Sequence, residues 1–127
     1  MCNARYGSDL LNVVQPVDRY YLNLILELTA HLHRRLGSIE WQQFLNDKDE
    51  VDLTAYRVLH IGEACKRLSE TIKATRPDVD WRSIIATRNI LSHDYFGVDE
   101  TLLWHAAKSG VPPLAAICSQ LLEGEIG

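Results

Sequence analysis

The feature that most limits what this chain can fold into is the spacing of apolar and small residues between positions 51 and 72. Val51, Ala55, Val58, Gly62, Cys65, Leu68 and Ile72 recur at steps of four and three and stop short of Pro77. That period lays one stripe of a helix against a core. It does not suit a strand, whose side chains alternate with a period of two. The spacing predicts one long amphipathic helix over this stretch. Gly62 lies in its middle, where glycine costs about 1 kcal/mol of helix propensity against alanine, a cost that makes sense where another backbone must pass close by.

The same period organises the rest of the chain. From Val17, the positions Tyr21, Leu24, Leu28, Leu32 and Leu36 predict a first helix, with Gly37 where a C-cap would sit. Ser38 is expected to cap a short helix carrying Trp41, Phe44 and Leu45 that stops near Asn46 and Asp47. Asp78 or Asp80 can cap a further helix running from Trp81 through Ile84, Ile85, Arg88 and Leu91 until Gly97. Asp99 starts a segment with Leu102, Leu103 and Ala106 on one face, and Pro112 and Pro113 open or kink a last helix with Leu114, Ile117, Leu121 and Leu122. No window shows sustained alternation of β-branched residues. The expected fold is all-α, an up-and-down antiparallel four-helix bundle with short extra helices. Residues 1–16 read as an N-terminal arm and residues 17–127 as one helical domain.

Charge and cysteine usage exclude several functions. The net charge of −4 means that the surface as a whole does not attract polyanions, so any nucleic-acid contact must be local. Cys2, Cys65 and Cys118 form an odd set without C-x-x-C spacing, which argues against a disulfide framework and a zinc ribbon; Cys65 and Cys118 read as small buried hydrophobes. His31 and His33, with Arg34 and Arg35, lie two apart and so on opposite sides of a helix, a poor metal pair and a natural solvated helix end. No metal or other cofactor is expected. Trp41, Trp81 and Trp104 read as core or interface anchors rather than base-stacking platforms. With no apolar run of membrane-spanning length and no signal-peptide stretch, a cytoplasmic protein without a membrane partner is expected.

The residues with chemical potential are concentrated in Arg88-Asn89-Ile90-Leu91-Ser92-His93-Asp94-Tyr95, an R-N-x3-H-x-Y arrangement. Around it stand Tyr21-Leu22 to Glu27, Ile61-Gly62-Glu63-Ala64-Cys65-Lys66-Arg67-Leu68-Ser69, Trp81-Arg82, Phe96, Asp99, Trp104 and Pro112-Pro113-Leu114. In these motifs, over Tyr20 to Leu122, the chain resembles the HepT family of the HEPN superfamily of RNases, toxins of bacterial toxin-antitoxin pairs. It departs from the pattern in the arm and at Asp94, where a small residue such as glycine is expected. The resemblance implies a dimeric HEPN-like bundle and a metal-independent endoribonuclease, with Arg88 and His93 catalytic and Asn89 contacting phosphate or base. It further implies an RNA substrate, tRNA or mRNA, and a nucleotidyltransferase antitoxin that silences the toxin by AMPylation of Tyr95.

The residue types suit that chemistry. RNA carries its own nucleophile in the 2′-hydroxyl, so cleavage needs a base, an acid and positive charge at the phosphorus. Histidine titrates near the required pH, and a guanidinium stays charged while gripping two phosphate oxygens. Geometry adds a constraint. Positions 88 and 93 are five steps apart, about 140° around a regular helix, so either the helix ends near Ser92 or two subunits share the site. Two readings compete with catalysis: Arg88 as the ion-pair partner of Glu63, and the whole chain as a non-catalytic helical binding module that recruits nucleotide or substrate to a nucleotidyltransferase.

Overall fold

The computed structural model describes residues 14–93 and 99–124, with only the backbone of His93. Among the described residues every regular element is helical, as the apolar period required. The elements are α1 (Pro16–Leu36), α2 (Trp41–Asn46), α3 (Lys48–Arg67), α4 (Glu70–Ala74), α5 (Trp81–His93), α6 (Glu100–His105), a π-helical turn (Ala106–Gly110) and α7 (Pro113–Gly124).

Pro16, expected at the end of the arm, instead opens α1, where its fixed φ suits a first helical turn. Val14 just before it is already buried in the core. The short α2 is capped not by Ser38 but by Glu40, whose backbone N–H donates to the Gln43 side chain at 2.8 Å in a reciprocal capping box. Asp47 caps α3 by accepting from the Glu50 backbone at 3.1 Å, Asp80 accepts from Ser83 N–H at 3.0 Å at the start of α5, and Asp99 accepts from Leu102 N–H at 3.0 Å at α6. Asp78, the other candidate cap, pairs with Arg76, which holds its carboxyl below the usual carboxylate range.

The long helix expected over 51–72 is broken. Leu68 is extended, and Ser69 caps a separate α4 by accepting from Ile72 N–H at 3.1 Å. The cause lies in α1. Asp18, 2% exposed, accepts from both the backbone N–H of Ser69 at 2.7 Å and its hydroxyl at 2.6 Å, which fixes Ser69 outside the helix. The Lys73 ammonium donates to the Cys65 and Lys66 carbonyls at 3.2 and 3.4 Å, satisfying acceptors that the break exposes. Leu68 and Ile72 stay buried, so the apolar stripe continues while the hydrogen-bond ladder does not.

Polar ties at both ends fix the directions. Asp18 at the start of α1 meets Ser69 beyond the end of α3, and Arg35 at the end of α1 pairs with Glu50 at the start of α3 at 2.9 Å, so the two helices are antiparallel. Helix α1 packs on α3 and α7, and α3 carries α5 on another side. The core between them holds Leu22, Ile25, Leu36, Phe44, Ile61, Leu103, Leu114 and Cys118. Trp41, Phe44 and Trp104 form an aromatic cluster with centroids 4.9 to 6.3 Å apart, in keeping with two of the tryptophans as anchors. Burial pushes the thiols of Cys65 and Cys118 up to about 12, so both are inert apolar filling. The π-helical turn was not legible in the sequence; Lys108 within it donates to the Leu36 carbonyl at 2.8 Å and closes the end of α1. No helix among the described residues is long and apolar enough to cross a membrane.

Candidate active site

Helix α5 sits differently from its neighbours. Of residues 81–92 only Leu91 is buried, whereas α1 buries seven residues. It lies against α3 on one side and presents the rest outward. Ile90 is 54% exposed, and Tyr56 on α3 is 60% exposed.

The contact with α3 is made at Gly62. A Cβ built there would collide with Arg88 Cβ and come within 2.9 Å of its Cγ. The mid-helix glycine therefore admits a second helix at close range, as its sequence position suggested. The next residue, Glu63, lies beside the Arg88 guanidinium, with 3.0 Å between Oε2 and Nη2. Both side chains are about a quarter exposed, 25% and 23%. On its other side Glu63 Oε1 stands 3.5 Å from Arg67 Nε. Arg88 Nη1 donates to Asn89 Oδ1 at 2.9 Å, so the guanidinium bridges Glu63 and Asn89.

This assembly is not saturated. Arg88 Nε and Glu63 Oε2 are both buried yet, among the described residues, have no hydrogen-bond partner. The 3.0 Å approach to Glu63 is thus a Coulombic contact without hydrogen-bond alignment, and Arg88 retains donor capacity. The ion-pair reading of Arg88 is correct in its geometry. It does not displace the catalytic reading, since a carboxylate that fixes a guanidinium leaves the other donors directed.

Helix α5 runs as far as His93, one residue beyond Ser92, and residues 94–98 lie outside the described ones, so a helix ending near Ser92 and a site shared by two subunits both stand. On a regular helix the backbones of 88 and 93 then stand about 140° apart, and a single straight α5 does not turn them to one side. The structure brings Arg88 and Asn89 together; His93 is described by its backbone alone, and Asp94, Tyr95, Phe96 and Gly97 lie outside the described residues.

A second feature adjoins Asn89. An open cleft of about 440 Å³ runs between α4 and α5, lined by Glu70 and Lys73 on one side and by Trp81, Arg82, Ile85, Ala86 and Asn89 on the other. The Trp81 indole N–H donates to the Lys73 and Arg76 carbonyls at 3.2 and 3.1 Å and so fixes this wall. A step of seven from Arg82 to Asn89 puts both on one side of α5, a signal that sequence reasoning did not use. No group of His, Cys, Asp and Glu among the described residues could hold a metal ion. In the cluster at the end of α1, Arg34 contacts His31 at 2.7 Å and Arg35 is held by Glu50, an arrangement internal to the bundle surface.

A family model described as Ribonuclease HepT-like matches residues 25–121. The chain is 34% identical over 95 residues to a protein of Methanocaldococcus jannaschii named "Putative RNase", an alignment covering 74% of this chain and 86% of that one. It is 35% identical over 95 residues to a protein of Thermococcus cleftensis named "Probable ribonuclease HepT", again covering 74% and 86%. A Caldanaerobacter subterraneus protein, also named as an RNase, is 29% identical over 107 residues, 84% of this chain and 96% of the other. No solved structure matches the chain significantly.

Proposed function

This chain belongs to the ribonuclease HepT-like family, and we propose that it is the toxin of a type VII toxin-antitoxin pair, a cytoplasmic ribonuclease that cuts RNA without a metal ion. The observation that carries the reading is the state of Arg88. Its guanidinium is held between Glu63 and Asn89 and stays about a quarter exposed, inside the motif whose residue types suit phosphodiester cleavage.

In the proposed reaction a base removes the proton of the ribose 2′-hydroxyl, whose oxygen attacks the adjacent phosphorus. The bond from phosphorus to the 5′-oxygen breaks as an acid protonates that oxygen, leaving a 2′,3′-cyclic phosphate and a 5′-hydroxyl. Arg88 stabilises the negative charge on the pentacoordinate phosphorus, and Asn89 orients the phosphate. Histidines at position 93 serve as base and acid. The separation of positions 88 and 93 on α5, together with the exposed Ile90, supports a twofold dimer in which paired α5 helices share the cleft. Such a dimer also concentrates positive charge locally on a chain of net charge −4.

Tyr95 is the proposed point of control. Transfer of AMP from ATP to its phenol oxygen, with release of pyrophosphate, places bulk and negative charge where the RNA phosphate docks. Tyr95→Phe is expected to keep cleavage and to lose neutralisation by the partner nucleotidyltransferase; a Phe variant still silenced by modification contradicts this.

The reading is tested by incubating the purified protein with total RNA and EDTA and mapping the new termini. Cleavage that persists in EDTA and leaves 2′,3′-cyclic phosphate ends is expected. Cleavage abolished by EDTA, or none at all, refutes it.

A further inference from the structure

The cleft between α4 and α5 has features that a helical core does not require. Its floor on α5 is the stripe of positions 82, 86 and 89, steps of four and three that share one side of the helix, and position 93 continues the same stripe. The backbone of His93 and the side chain of Asn89 thus stand at one end of a track whose other end is Arg82. From 82 to 89 is about 10.5 Å along the axis at about 1.5 Å per residue, a reach that a short stretch of extended single strand covers.

The charges in the cleft are unequal in availability. Lys73 is committed: its ammonium faces the Cys65 and Lys66 carbonyls and stands 3.6 Å from Glu70. Glu70 itself is 90% exposed, so its carboxylate is well screened by water. Arg82 is exposed and, among the described residues, has no ion-pair partner, unlike Arg35, Arg67, Arg76 and Arg88, each of which faces a carboxylate. Between Arg82 and Asn89 the wall is apolar, formed by Trp81, Ile85 and Ala86. A cationic end, an apolar wall and a polar amide beside the guanidinium of Arg88 match an RNA strand, which offers alternating phosphates and flat apolar bases.

We propose that this cleft is an RNA subsite, in which Arg82 binds a backbone phosphate flanking the scissile linkage and the wall of Trp81, Ile85 and Ala86 receives the adjoining nucleoside. The proposal rests on the ribonuclease reading and adds to it the path by which single-stranded RNA approaches Asn89. Arg82 is a binding residue here, removed from the bond that breaks.

The test is binding of the full chain to a fluorescein-labelled 2′-O-methyl RNA oligonucleotide, which cannot be cleaved by 2′-hydroxyl attack, measured by anisotropy across a salt series. Arg82→Ala is expected to weaken binding about tenfold and to reduce the slope of log affinity against log salt by about 1, as loss of one phosphate contact requires. Arg82→Lys keeps the slope. Lys48→Ala, at the far end of α3, changes neither affinity nor slope. On cleavable RNA the Arg82→Ala defect falls on KM rather than kcat. If the wild type binds and cleaves RNA while Arg82→Ala keeps its affinity and slope, the subsite is refuted and the ribonuclease reading stands. If the wild type neither binds nor cleaves, both fail.

Discussion

Two polar junctions tie the bundle together, and they differ in how far their hydrogen-bonding capacity is used. At the start of α1, Asp18 is almost wholly buried and both its oxygens are taken by Ser69. At the crossing of α3 and α5, Glu63 and Arg88 are also close, yet a quarter of each is exposed and two of their buried atoms have no hydrogen-bond partner among the described residues. A buried carboxylate must be satisfied internally or it destabilises the fold, so a saturated junction is structural. A guanidinium that is a quarter exposed and whose terminal nitrogens keep N–H groups unused retains the capacity to bind something else. The contrast agrees with the proposed catalytic role of Arg88.

Substitutions at the two junctions should therefore fail in different ways. The largest effect is expected for Arg88→Ala, with cleavage falling about 100- to 1000-fold, the usual cost of removing one transition-state donor. Its thermal midpoint should move little, because Glu63 keeps Arg67 at 3.5 Å. Kinetics on defined RNA beside a melting curve checks both. Asp18→Ala should do the reverse, lowering stability by about 2 to 3 kcal/mol in denaturant unfolding, since it removes two hydrogen bonds to a charged group, while cleavage per folded molecule is retained. Gly62→Ala should lower stability by about 1 to 3 kcal/mol by forcing α5 away from α3, and cleavage should fall with it because Arg88 is displaced. The smallest effect is chemical. In a Cys2→Ser variant the remaining thiols, Cys65 and Cys118, should react with a disulfide reagent only on unfolding, since burial holds them near 12. Rapid labelling of the native variant would show that the core is open there.

Much of this was legible in the sequence because the helical period is a local signal. The four main helices, the close approach at Gly62, a cap at Asp78 or Asp80, the Asp99 cap and the burial of Cys65 and Cys118 follow from spacing and residue type. The break at Leu68 and Ser69 was not legible, because its cause is Asp18, 51 residues earlier, and the apolar stripe runs on undisturbed through it. The Glu40 capping box was hidden by Ser38, a good cap two residues too early. In the candidate site, Arg88 and its partner Glu63 were readable from the facing helices, whereas the cleft at Arg82 depends on where α4 lies after the break. His93 and Tyr95 rest on the motif and the family resemblance, as neither side chain is among those described.

The central claim is that Arg88 and His93 act on one ribose-phosphate linkage inside a cleft shared by two copies of the chain. It is tested most directly by mixing two inactive variants, Arg88→Ala and His93→Ala, refolding them together and measuring cleavage. In the mixed dimer the shared cleft holds one guanidinium and one imidazole, which can take the 2′-hydroxyl proton and return it to the 5′-oxygen, so part of the cleavage should return where neither variant alone has any. Mixed dimers that form but stay as inactive as their parents would contradict the account.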